Sequence, residues 1–147
     1  MTGRSRAIRR LRVVVVDGDR RVRDSLAELL GLGDELEVVG RAAHGGDALE
    51  LCAEAAPDVV VIDPRLPDPD SGRALIEELR RRFPATAVLV LSWPGDGDGE
   101  DRPIDGLVDG FVPKSDPPSE LVSRIVELAG GAGRRTAGGA DRASGRC

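Results

Sequence analysis

Asp58-Val59-Val60-Val61-Ile62-Asp63-Pro64-Arg65-Leu66-Pro67 sets four β-branched residues between two acids and then breaks on proline. A run this short, this branched and this uniformly apolar reads as a strand buried on both faces. Buried on both faces, it belongs inside a parallel sheet rather than on an antiparallel surface. Asp63 then stands directly at the carboxyl end of that strand.

Working outward, the same pattern recurs. Val13-Val14-Val15-Val16 runs into Asp17, and Ala87-Val88-Leu89-Val90-Leu91 runs into Ser92. Gly110-Phe111-Val112 is followed by Pro113 and Lys114, and a weaker strand lies near Glu37 to Arg41. Helical stripes alternate with these runs: Val22, Leu26, Leu29 and Leu30; then Ala48, Leu49, Cys52 and Ala56, stopped by Pro57; then Leu75, Ile76 and Leu79, stopped before Pro84; then Leu121, Val122, Ile125 and Leu128. Asp116-Pro117 supplies the last helix with a cap and a first-turn proline. Strand alternating with helix predicts an α/β, doubly wound, five-stranded parallel sheet. Between Ser92 and Gly110 a further helix is due, but Pro94 to Pro103 holds three glycines within five residues, which predicts a loop and a degraded or missing fourth helix.

The strand ends carry the chemistry. Ligands of open parallel sheets sit beyond the carboxyl ends of the strands, where the strand order reverses. With order 2-1-3-4-5, Asp17 and Asp63 become neighbours there, flanked by Ser92 and Lys114. Two acids, a hydroxyl and an ammonium in one crevice suit phosphoryl transfer: a carboxylate nucleophile, donors for the phosphoryl oxygens, and oxygens for a hard cation.

Bulk properties set the class. The chain of 147 residues is long enough for one full core, with 40% hydrophobic and 32% charged residues. No apolar run approaches the ~20 residues of a membrane span, and residues 1–12 lack the apolar segment of a secretory signal. The expected location is the cytoplasm. Five arginines without an acid at residues 1–12, and a net +3 over 132–147, leave -13 of the total -5 on the stretch between. An acidic body argues against a nucleic-acid surface. The expected organisation is a basic tail over 1–10, one domain over 11–129, and a disordered Gly/Ala/Arg-rich tail over 130–147. Twenty of the 21 basic residues are arginine, and Lys114 is the only lysine. Cys52 and Cys147 have no metal or disulfide spacing. The lone His44 follows the second strand, away from the crevice, and Trp93 is assigned to packing. Asp96-Gly97-Asp98-Gly99-Glu100 resembles the start of a calcium loop but lacks glycine at its sixth position and glutamate at its twelfth, where Leu107 stands.

Asp58 to Pro67, Val13-Val14-Val15-Val16-Asp17, Val22-Arg23-Asp24-Ser25-Leu26, Val88-Leu89-Val90-Leu91-Ser92 and Asp109-Gly110-Phe111-Val112-Pro113-Lys114 together resemble the receiver domains of bacterial two-component response regulators. The likeness covers roughly residues 11–129 and is nearest to receivers that continue into a helix-turn-helix module. It implies a flavodoxin-like fold that is not an enzyme beyond self-phosphorylation and dephosphorylation. It also implies Asp63 as phosphoacceptor, Lys114 as phosphoryl ligand, Ser92 as switch hydroxyl and Phe111 as switch aromatic. Mg²⁺ would be held by Asp17, Asp63 and the backbone carbonyl of Arg65. The implied partners are a sensor histidine kinase and an output protein of unknown identity, with a homodimer left open; no DNA-binding module and no membrane contact are expected from residues 1–147.

The match departs from the family at Asp17-Gly18-Asp19, where a second consecutive acid is usual. Gly18 offers no side-chain oxygen, so Mg²⁺ should be weakened. Asp19 could substitute, but capping the first helix is the preferred reading. Ser71 replaces a frequent glycine after Asp70. Two alternatives stand beside the receiver. One is a pseudo-receiver that binds partners without phosphate. The other is a haloacid-dehalogenase-type phosphatase with Asp17 as nucleophile and Asp19 as acid–base, but the chain lacks that family's further acidic pair and its cap domain.

Overall fold

The computed structural model describes residues 9–92 and 106–129. In chain order these form β1 (Leu11–Val16), α1 (Arg20–Leu30), β2 (Leu36–Ala42), α2 (Gly45–Ala55), β3 (Val59–Ile62), α3 (Pro69–Arg82), β4 (Ala87–Ser92), β5 (Gly110–Pro113) and a last helix α4 over residues 118–129. All neighbouring strands are parallel, in the order β2-β1-β3-β4-β5. The topology is therefore the doubly wound sheet that the alternating pattern predicts. The loop expected in place of a fourth helix lies outside the described residues, as do the two tails except Arg9 and Arg10.

Alternation along the strands builds two cores. Val14, Val16, Val60, Ile62, Val88 and Val90 point to one face, under Ala48 and Cys52 of α2 and Leu75, Ile76 and Leu79 of α3. Val13, Val15, Val59, Val61, Leu89 and Leu91 point to the other, under Leu30 of α1 and Leu121 and Ile125 of α4. β3 is covered on both faces along its whole length, as its unbroken apolar run requires.

The weak strand expected near Glu37 to Arg41 is present as Leu36–Ala42, because backbone pairing with all of β1 carries it at the sheet edge even where its side chains are only partly buried. Two local readings are corrected. Ala56 is not part of the α2 stripe: it lies in the left-handed region at φ 48°, its N–H donating to the Cys52 carbonyl. The following proline disfavours helical geometry at that position. The cap of α4 falls one residue later than Asp116, because the Pro117 carbonyl accepts the first bonds, from the Glu120 and Leu121 N–H groups; Pro118 is then the first helical residue.

α3 is held close to the loop that follows β3. A Cβ built on Gly72 would stand 1.5 Å from the Pro64 carbonyl oxygen. That approach is closer than any side chain permits, and it draws the Asp63–Pro67 loop against the first turn of α3, which Asp68 caps through the Ser71 N–H.

Candidate functional site

Register brings the strand-end residues together. Val16 of β1 pairs with Ile62 of β3, so Asp17 and Asp63 leave the sheet side by side. The ladder runs one step further: Asp63 N–H donates to the Val16 carbonyl and Asp17 N–H to the Ala42 carbonyl, each at 3.0 Å. On the other side Ser92 pairs with Pro113, and Lys114 N–H donates to the Ser92 carbonyl at 2.6 Å. The Lys114 side chain thereby turns back over the sheet end.

The resulting contacts are short. Lys114 Nζ donates to Asp63 Oδ2 at 2.7 Å and to Asp17 Oδ2 at 3.0 Å. Both carboxylates are buried, Asp17 at 2% exposure and Asp63 at 7%. Asp17 Oδ1 accepts from the Asp19 N–H at 2.8 Å. Asp63 Oδ1 accepts from the Arg65 N–H at 2.9 Å, and the Arg65 guanidinium forks onto the same carboxylate, Nε to Oδ1 and Nη2 to Oδ2, both at 3.4 Å. Burial pushes the Asp63 carboxyl up, but the hydrogen bonds from Lys114 and Arg65 outweigh it and hold the group below the ordinary carboxylate value.

Other expected residues fall as follows. Ser92 ends β4, half-buried at the same end of the sheet. Phe111 of β5 is half-buried and packs against the core beneath α2 and α3. Asp19 caps α1, its Oδ1 accepting from the Arg21 and Val22 N–H groups. His44 is exposed at the start of α2. Cys52 is fully buried, and burial pushes its thiol up to about 11. Trp93 and the acidic loop Asp96 to Glu100 lie outside the described residues.

Two roles escaped the sequence. Arg65 meets Asp63 with its guanidinium as well as its main chain. An arginine two residues beyond an acid in a tight loop was the available signal. Asp109 accepts from the Val88 N–H at 2.8 Å and from Arg80 Nη1 at 3.1 Å, tying β4 and α3 to the start of β5. Nothing local in the sequence pairs residues this far apart.

An open parallel sheet with a lysine bridging two buried acids at its switch point defines an α/β domain of the flavodoxin-like kind. Residues 13–126 match the response regulator receiver domain family, and the chain belongs to it. It is 37% identical over 125 residues to the DNA-binding transcriptional activator DevR/DosR of Mycobacterium tuberculosis, covering 84% of this chain and 56% of that protein. It is 28% identical over 115 residues to the oxygen regulatory protein NreC of Staphylococcus haemolyticus, covering 78% of this chain and 53% of that one. The chain thus spans about half the length of these curated relatives. A crystal structure of a LuxR-family two-component response regulator from Aurantimonas sp. superposes with a TM-score of 0.69 at 29% identity, covering 84% of this chain and 87% of that one.

Receiver domains generally bind Mg²⁺. Among the described residues, the donors fall short of what that ion requires. Only Asp17 and Asp63 bring carboxylates, and Lys114 and backbone N–H groups already hold both. Gly18 brings none, and the Oδ1 of Asp19 is engaged by the α1 cap. Among the described residues, too, no three His, Cys, Asp or Glu side chains come together around a point where a metal could sit. Mg²⁺ demands near-octahedral oxygen coordination and gives up its water reluctantly.

Proposed function

We propose that the chain is a receiver module of two-component signalling that accepts a phosphoryl group on Asp63 from a sensor histidine kinase. The observation that carries this reading is Lys114, whose ammonium lies 2.7 Å from Asp63 and 3.0 Å from Asp17 in a crevice at the carboxyl ends of β1 and β3. A carboxylate oxygen of Asp63 attacks phosphorus on a phosphohistidine. The P–O bond forms as the P–N bond breaks, and the electron pair returns to the imidazole nitrogen, which solvent protonates. Most of the catalysis is placement and charge. Burial keeps water out, the depressed pKa keeps Asp63 ionised, and Lys114 meets the charge that gathers on the phosphoryl oxygens.

Ser92 and Phe111 are proposed as the switch pair. Ser92 ends β4 at the same end of the sheet as Asp63, and Phe111 lies half-buried on the neighbouring strand, which supports the pairing. The bistable element they bias would be a partner-binding face around β5. The output is proposed to be a separate protein or a further domain, in a cytoplasmic setting; among the described residues no helix is long and apolar enough to cross a membrane. The receiver family is not an enzyme family in the usual sense, and turnover here would be limited to gain and loss of phosphate at Asp63.

A pseudo-receiver is the second reading, and Gly18 with its missing carboxylate favours it. The phosphatase reading has no comparable support, since the acid–base it needs, Asp19, caps α1. Acetyl phosphate followed by intact-mass measurement decides among them. One phosphoryl adduct, lost in Asp63→Asn, is the expected result. Absence of any adduct in the wild type would leave the pseudo-receiver, and phosphomonoester turnover abolished by Asp17→Asn would restore the phosphatase.

A further inference from the structure

Among the described residues, two acids and two cations meet in the crevice. Asp17 and Asp63 supply two buried negative charges. Lys114 supplies one positive charge and Arg65 the second, its guanidinium forked over both oxygens of Asp63. A divalent cation among carboxylates normally neutralises them and leaves charge for an incoming phosphoryl group. Here two organic cations already do the first of these.

The place from which a third carboxylate would come is also tight. A Cβ on Gly18 would stand 3.2 Å from Leu66 Cδ1, and Leu66 is buried at 3% exposure. A side chain at position 18 would therefore press on Leu66, whose Cδ1 would have to shift by a few tenths of an ångström. The loop that carries Arg65 to Asp63 is the same loop that sets Leu66 against Gly18.

We propose that the Arg65 guanidinium takes the place of the divalent cation, so that this crevice holds a phosphoryl group on Asp63 against Lys114 and Arg65 without a metal. The proposal rests on the reading of Asp63 as acceptor. A guanidinium has the properties such a role requires. It is planar, permanently charged and weakly hydrated, and it matches phosphate oxygens two at a time. Its contacts to the free carboxylate are long, at 3.4 Å, and the Arg65 side chain is 44% exposed. It already lies over both oxygens of Asp63, where the oxygens of a group attached there would meet it.

Beryllofluoride, a phosphoryl stand-in that attaches to carboxylates, is the probe, followed by ¹⁹F NMR on the whole chain in excess EDTA and in excess MgCl₂. The wild type is expected to bind it with affinities within about threefold of each other in the two buffers, and Arg65→Gln to bind about tenfold or more weakly in EDTA, with Arg65→Lys between them. Calorimetric titration with MgCl₂ alone should show no saturable uptake by the wild type. Gly18→Asp combined with Leu66→Ala, which makes room for the new side chain, should acquire Mg²⁺ uptake and Mg²⁺-dependent beryllofluoride binding. Thermal unfolding of each variant confirms that it is folded. Wild-type binding seen only with Mg²⁺, or unchanged EDTA binding in Arg65→Gln, would overturn the role of Arg65 while leaving Asp63 as acceptor. No binding in either buffer would overturn both.

Discussion

Removing Lys114 would leave the buried Asp17 and Asp63 carboxylates facing each other without their bridging ammonium. Its side chain is 7% exposed and bridges Asp17 and Asp63. Breaking a buried pair from one side costs about 3 kcal/mol or more, because the orphaned charge stays in a poorly solvated place. Lys114→Met should therefore lose about 3 kcal/mol in urea unfolding at neutral pH. The loss should shrink in acid, as the Asp63 carboxyl, held below its ordinary value in the folded wild type, takes up a proton. An unchanged midpoint would mean that the bridge is not formed in solution. Cys52 gives a second residue-scale test with the opposite pH sense. Its thiol is raised in the folded chain from 9.0 to about 11. A raised folded value contributes stability that is complete below the unfolded pKa and is lost as pH rises through the folded one. Wild-type stability should thus fall between pH 9.0 and about 11 more steeply than that of Cys52→Ala, by denaturant titration at each pH. Parallel pH curves would show that the Cys52 thiol does not titrate with unfolding.

At the scale of elements, two helical glycines look alike in sequence and differ in consequence. Gly72 lies inside α3, and Gly46 lies in the first turn of α2. Replacing a helical glycine by alanine ordinarily gains about 0.5–1 kcal/mol through the unfolded chain. Nothing lies within 4 Å of a Cβ at Gly46, so Gly46→Ala should show that gain. At Gly72 the new atom would overlap the Pro64 carbonyl, and the helix or the loop must move. Overpacking of that kind costs about 3 kcal/mol or more, so the steric term wins and Gly72→Ala should be strongly destabilising. It should also weaken beryllofluoride binding, because the loop it displaces carries Arg65. Thermal unfolding of the two variants side by side gives the answer, and a stabilised Gly72→Ala would disprove the close approach. The departure at Ser71 takes its meaning from the same contact: the glycine that α3 needs is present, one residue later.

The molecule as a whole is a sheet between two independent cores, and its central strand belongs to both. Val60 points into the core beneath α2 and α3, Val61 into the core beneath α1 and α4. Truncating either valine to alanine should cost about 2 kcal/mol, from lost burial and the cavity left behind. Among the described residues the two core clusters share no side chain, so Val60→Ala with Val61→Ala should cost about the sum, roughly 4 kcal/mol. Urea midpoints of the single and double variants test this. A near-neutral single variant would show that one face of β3 is not covered.

Sheet topology, helix positions and the strand-end residues were legible because they depend on local pattern. Apolar runs of three to five residues, each followed within two positions by a polar residue, read as inner strands, and the doubly wound order then places Asp17, Asp63, Ser92 and Lys114 at one end. Asp19 as a cap was equally local, a side chain reaching the N–H groups two and three residues on. What the sequence by itself determined is thus the sheet, its polarity and the membership of the crevice. Only the tertiary structure decided how the crevice is charged. The Arg65 fork, the contact of Leu66 with Gly18, and the approach of Gly72 to Pro64 depend on how one loop settles between a strand and a helix. Such contacts are set by packing at ångström scale, and no periodicity of residues along the chain encodes them.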